Sequence, residues 1–229
     1  MTTLPEIIGA FVSDAFELTG SHGGSVAGLA VGRYFRRRAE AARDILLDEL
    51  RQANISEAQA ASEDDAIAVI VRYLRAAREG AARLNLRLLA KAIAGKLRSG
   101  SLVADEFLQY AEALGSLSRD EILVIGTIYK MWAAHQALAA TDPAEASKRY
   151  GDPWGLALQE LMRLGMKEEL ISAVASRAQR SGLIYSMSGV GGFPDQRPAG
   201  NLIFRVSPLL IELGMTVDFE DALRREASA

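Results

Sequence analysis

Between two helical signals in the last third of the chain lies a strand, loop and strand. Helical spacing runs from about Lys167 to Arg180 and stops at Gly182. Leu183-Ile184-Tyr185-Ser186-Met187 then reads as a β-strand, rich in the branched and aromatic residues that suit a pleated surface. A Gly/Pro-rich loop from Gly189 to Asn201 separates it from a second strand, Leu202-Ile203-Phe204-Arg205-Val206. Ser207-Pro208 opens a short helix that runs through Leu213 and ends at Gly214. A hairpin this close to helices on both sides must lay one face on a small helical core. That constraint divides an otherwise helical chain into parts.

Upstream of the hairpin, Ser118 is a good N-cap, and Glu121 three residues later completes a capping box. The helix it opens carries Ile122, Ile125, Ile128, Tyr129, Trp132 and Leu138. Ala140 to Gly155 reads as loop, marked by Asp142-Pro143 and Asp152-Pro153. A short helix from Leu156 to Leu164 turns at Gly165. Three helices followed by a hairpin is the order of a winged helix. The fold expected is therefore mainly α, with a helical N-terminal part and a C-terminal winged-helix-like module containing one β-hairpin. Leu183, Ile203 and Leu210 are expected to be buried against Ile125 and Leu161.

The N-terminal part begins with Leu4, Ile7, Ile8, Phe11, Val12 and Ala15 on one helical face. Leu18 to Gly32 carries no formal charge, and Gly20, Gly24, Gly28 and Gly32 recur at four-residue steps. On a helix those glycines form a face where another backbone can approach, inside a bundle or in a membrane. The uncharged run is shorter than the roughly 20 residues of a bilayer span. Arg36, Arg37 and Arg38 follow. They could meet phosphates or lipid headgroups, but Glu40, Asp44 and Asp48 lie within pairing distance along a helix, which favours a solvated face.

The longest helical signal runs from about Glu63 to Ser99, with Ile67, Ile70, Leu74, Ala77, Ala81, Leu84 and Leu88 in a seam near heptad spacing. Unbroken, it would reach roughly 55 Å at 1.5 Å per residue. Gly80 weakens its middle by about 1 kcal/mol relative to alanine, which leaves room for a kink or break there. If the chain leaves this seam uncovered, a partner helix is expected to cover it, which makes the protein a homo-oligomer. The organisation read from these signals is an amphipathic helix and glycine-rich segment over 1–35, a long-helix region over 36–115, the winged-helix-like domain over 116–217, and a charged, frayed tail over 218–229.

Composition narrows the function. The formal net charge of −3 gives no global attraction to nucleic acid or anionic lipid, so such binding needs a local patch. Across 116–217 acids and bases balance, whereas a DNA-reading module has a basic footprint. The candidate nucleic-acid contacts are Lys167, Arg177, Arg180, Arg197 and Arg205. The helix offered to a groove begins with Glu168 and Glu169, which suit its dipole and repel phosphates. The absence of cysteine removes thiolate chemistry and disulfides. Gly95-Lys96 lacks the earlier glycine and the Ser or Thr of a P-loop, and His22 and His135 have no ligand-like spacing. No nucleophile, base and oxyanion set emerges, so no catalytic, cofactor-binding or metal-binding residue is assigned. The reading is a non-enzymatic protein-interaction or regulatory module. The alternatives are a winged-helix DNA-binding regulator and a membrane-acting effector using Gly20, Gly24, Gly28 and Gly32. Glu6, Asp14 and Glu17 near the start, without early Lys or Arg, differ from a secretory signal, and a cytoplasmic location is expected.

Four stretches also carry a family likeness. They are the Gly20–Gly32 segment before Arg36-Arg37-Arg38, the run Arg87-Leu88-Leu89-Ala90-Lys91-Ala92-Ile93, the segment Arg180-Ser181-Gly182-Leu183-Ile184, and Phe204–Leu213 before Gly214. In order and character these resemble bacterial proteins of the Abi-alpha type, associated with phage abortive infection. The resemblance covers most of the chain and implies a role in stress or phage response. It implies no catalytic residues.

Overall fold

The computed structural model describes residues 26–54, 63–150, 152–188 and 202–227. Within them the protein is mainly helical, with one two-stranded antiparallel sheet. The chain divides into two compact units. The first comprises residues up to Ser116 together with Thr216–Asp218 and the residues from Arg224 onwards. The second comprises Leu117–Met215 and Phe219–Leu223.

Among the described residues up to Ser116, the first unit holds four helices: α1 (Val26–Gln52), α2 (Glu63–Arg78), α3 (Arg83–Ser99) and α4 (Ala104–Gly115). Ala39, Ala42, Ile45, Leu46 and Leu50 recur at helical steps on α1 and are buried. Ala66, Val69, Ile70, Tyr73, Leu74 and Ala77 do the same on α2. The Tyr73 hydroxyl donates to the Ala42 carbonyl at 2.8 Å and ties these helices together. Every residue of α3 from Leu84 to Leu97 is buried except Lys91, which is half-buried, because α1, α2 and α4 all pack on it. Asn85 can occupy such a position because its amide donates to the Leu114 carbonyl at 2.5 Å. A cavity of about 10 Å³ among Leu46, Leu50, Ile70, Ile93 and Leu97 is about the size of one water and accommodates no substrate.

The long helical signal is two helices, not one. The chain breaks at Gly80, whose φ of 100° is open to glycine and strained for other residues. Folding back at this point places the seam against the unit's own helices: Ile70, Leu74, Ala77, Ala81, Leu84 and Leu88 are all buried, with Ile67 half-buried. The apolar stripe that called for a partner helix is thus covered from within. Most of the stretch after Asp218, expected as a charged tail, is helical. Phe219–Ala227 form α10, whose C-terminal end is held by ion pairs that no local pattern reveals.

The second unit holds α5 (Arg119–Ala139), α6 (Pro143–Tyr150), α7 (Pro153–Arg163), α8 (Glu168–Ala178), strands β1 (Ile184–Ser188) and β2 (Leu202–Val206), and α9 (Pro208–Gly214). Ala140 to Gly155 was expected as loop but contains α6. The Asp142 carboxylate accepts from the Glu145 amide at 2.9 Å and Pro143 sits in the first turn, so the Asp-Pro pair starts a helix instead of a turn. Asp152 and Pro153 repeat the device for α7. Gly165, at φ 93°, ends α7, and Gly182, at φ 72°, turns the chain from a short 3-10 segment into β1.

β1 and β2 pair with Tyr185 opposite Arg205 and Met187 opposite Ile203. Ile184, Phe204 and Val206 occupy the inner face and are buried, together with Leu183, Leu210, Ile125 and Leu161. Trp154 packs on Phe204 with ring centroids 4.8 Å apart. Ile203, expected in the core, is only half-buried on the outer face. Strand alternation permits one face or the other, and Phe204, the bulkier neighbour, takes the inside.

Candidate functional site

The outer surface of the second unit is built over an internal ion pair. Ser118 and Glu121 form the expected capping box: the Ser118 hydroxyl accepts from the Glu121 amide at 3.3 Å, and the Glu121 carboxylate accepts from the Ser118 amide at 2.7 Å. This turns the Glu121 carboxylate inward, where it is 2% exposed. Arg180 supplies the countercharge, donating from both terminal nitrogens to the two carboxylate oxygens, one of these bonds at 3.1 Å. Arg180 and the Ser118 hydrogen bonds hold the Glu121 carboxyl down at about 2, against the opposing effect of burial.

Arg180 is therefore part of the scaffold, and its charge is neutralised at the base of the hairpin. Of the other residues proposed to meet nucleic acid, Lys167 is exposed at the N-cap of α8 and Arg177 is exposed in its last turn. Ten residues of helix hold them roughly 15 Å apart. Arg205 is exposed on the outer face of β2, beside Tyr185. Arg197 lies outside the described residues. Glu168 and Glu169 occupy the first turn of α8 and are both exposed.

What the hairpin presents outward is largely apolar. Tyr185 and Met187 are 45% and 48% exposed, and half-buried Ile203 lies across from Met187. Leu202, in the row of Phe204 on the other face, is 47% exposed at the loop end. The free edge of β1 is partly closed, because the Gln179 side chain accepts from the Ser186 amide at 3.0 Å. Strand addition at this position is blocked, leaving the outer face as the surface open to a partner. Alternation in the sequence could have revealed this face, but the register that turns Tyr185 and Met187 outward is set by Phe204.

In the first unit the polar feature that local patterns do not reveal is a buried ion network. Glu49, 3% exposed, accepts from Arg87 at 2.8 Å and Arg225 at 2.6 Å, with the Lys91 ammonium 3.2 Å away. Glu226 pairs with Arg87 at 2.8 Å and Arg83 at 3.3 Å. Asp48, expected beside Arg36-Arg37-Arg38, instead accepts from Arg225 and lies 3.5 Å from Arg87. Asp44 pairs with its neighbour Arg43 at 3.0 Å. Complementary charges fully occupied with one another hold α1, α3 and the end of α10 in place, and the arrangement reads as structural.

Gly20 and Gly24 lie outside the described residues. Gly28 and Gly32 belong to α1. A Cβ at Gly32 would meet nothing within 4 Å, so no backbone among the described residues uses that position for close approach. No helix among the described residues is long and apolar enough to cross a membrane. No family model, curated protein or solved structure matches the chain.

Proposed function

We propose that the second unit is a winged-helix-like module working by protein contact, and that the protein is a non-enzymatic, cytoplasmic regulatory or interaction protein that assembles with a second copy of itself. The observation carrying this reading is the outer face of the hairpin, where Tyr185, Met187 and Ile203 accompany Arg205 in place of a row of cations. Neutralisation of Arg180 by Glu121 and the two acids opening α8 support it, since both work against phosphate binding. The resemblance to Abi-alpha proteins supplies a setting of stress or phage response.

Light scattering coupled to gel filtration tests assembly. The expected result is a mass that rises with concentration, and a monomer for Tyr185→Lys with Met187→Lys at unchanged helical circular dichroism. A wild-type monomer at tens of micromolar would overturn the reading. Arg205 and Arg177 keep the DNA-regulator reading open to one direct measurement. Duplex binding at low salt that weakens in Arg177→Ala with Arg205→Ala would favour it instead.

A further inference from the structure

The opposite end of the first unit's charge distribution is strongly basic. α1 carries Arg33, Arg36, Arg37 and Arg38 near its start, and α2 carries Arg72, Arg75 and Arg78 towards its end. The fold brings these stretches together. Arg38 donates from Nε to the Ala77 carbonyl at 2.7 Å and from Nη2 to the Ala81 carbonyl. The Arg78 guanidinium lies 5.8 Å from the centroid of the Phe35 ring, and Arg38 lies as far from that of Tyr34. Residues 33–40 and 72–79 hold seven arginines against Glu40 and Glu79, a local charge of +5 in a chain of net charge −3. Glu79 is paired to Arg75 at 2.6 Å, and the Asp44 and Asp48 carboxylates are committed to Arg43, Arg87 and Arg225. Arg33, Arg36, Arg37, Arg72 and Arg78 are exposed, and Tyr34 beside them is 52% exposed.

We infer that this arginine end binds the surface of an anionic phospholipid bilayer. Helix α1 continues upstream of the arginines through Val26-Ala27-Gly28-Leu29-Ala30-Val31-Gly32, a sequence of apolar residues and glycine. A Cβ at Gly32 would meet none of the described residues within 4 Å. An apolar helical end followed by a collar of arginines and a half-exposed tyrosine matches the depth profile of a bilayer, with hydrocarbon below and phosphates and interfacial aromatics above. A nucleic acid offers the same phosphates but gives the uncharged end of the helix nothing to bury in. The association proposed is peripheral: Val26–Gly32 is far shorter than the roughly 20 residues that span a bilayer, and no helix among the described residues is long and apolar enough to cross one.

Flotation of the full chain with phosphatidylcholine vesicles, with or without phosphatidylglycerol, tests this. Binding is expected only with the anionic lipid and should fall as salt rises. Arg33→Gln with Arg37→Gln and Arg72→Gln should weaken it roughly a hundredfold, at about fivefold per arginine near the surface. Circular dichroism checks that this triple variant folds. Arg119→Gln with Lys167→Gln, two exposed changes in the other unit, should leave vesicle binding unaltered. No flotation of the wild type at low salt, or undiminished binding by the triple variant, would overturn the inference. So would duplex DNA binding that depends on the same arginines in the absence of vesicle binding, which would assign the patch to nucleic acid.

Discussion

Replacing Arg180 by methionine tests the ion pair beneath the hairpin. The change keeps most of the aliphatic stem and removes the guanidinium that holds Glu121. A carboxyl lowered from its ordinary 4.5 to about 2 represents an upper limit of about 3 kcal/mol of stability at neutral pH. The Ser118 capping bonds survive the substitution, and the Arg180 side chain is 48% exposed, so solvent screens its part of the pair. The expected loss at pH 7 is therefore about 2 kcal/mol. Its pH dependence has a definite sign. Because the folded-state pKa is depressed, the stabilisation is fully present above the unfolded value of 4.5 and disappears as pH falls towards about 2. Urea unfolding of wild type and Arg180→Met across this range should give curves that converge in acid, and taking their difference cancels groups common to both. A gap below about 0.5 kcal/mol at pH 7, or one that stays constant down to pH 2, would refute the assignment of Arg180 to Glu121.

Three further substitutions probe the packing. Gly214→Ala would drive a Cβ into the Tyr129 ring, and thermal unfolding should show a loss of about 1–3 kcal/mol, with Tyr129→Ala in the same chain relieving the clash. Arg87→Met leaves Glu49 and Glu226 short of a partner in the buried network, and chemical denaturation should register about 3 kcal/mol of destabilisation, well above that of the exposed Arg75→Met. Tyr73→Phe removes the bond to the Ala42 carbonyl and should cost about 1 kcal/mol in urea, with the helical signal retained.

Local chemistry alone determined much of the helical framework. The capping box at Ser118 and Glu121, the glycine stops and the alternating strands all depend on neighbours within a few residues, so they are legible in the sequence. Even the weakness at Gly80 was visible there. That the helix would fold back and cover its own seam was not, because burial of Leu74 and Leu88 depends on helices distant along the chain. The same holds for charge. Arg36-Arg37-Arg38 reads as a self-neutralising helix face while Glu40, Asp44 and Asp48 are all free to serve it. Tertiary structure commits the two aspartates to Arg43, Arg87 and Arg225, and brings Arg78 beside Phe35. Likewise, Arg180 looked available until folding set it against Glu121, 59 residues away. Sequence spacing specifies which charges lie near one another along a helix, but ion pairing depends on distance in space, and only the fold sets that distance.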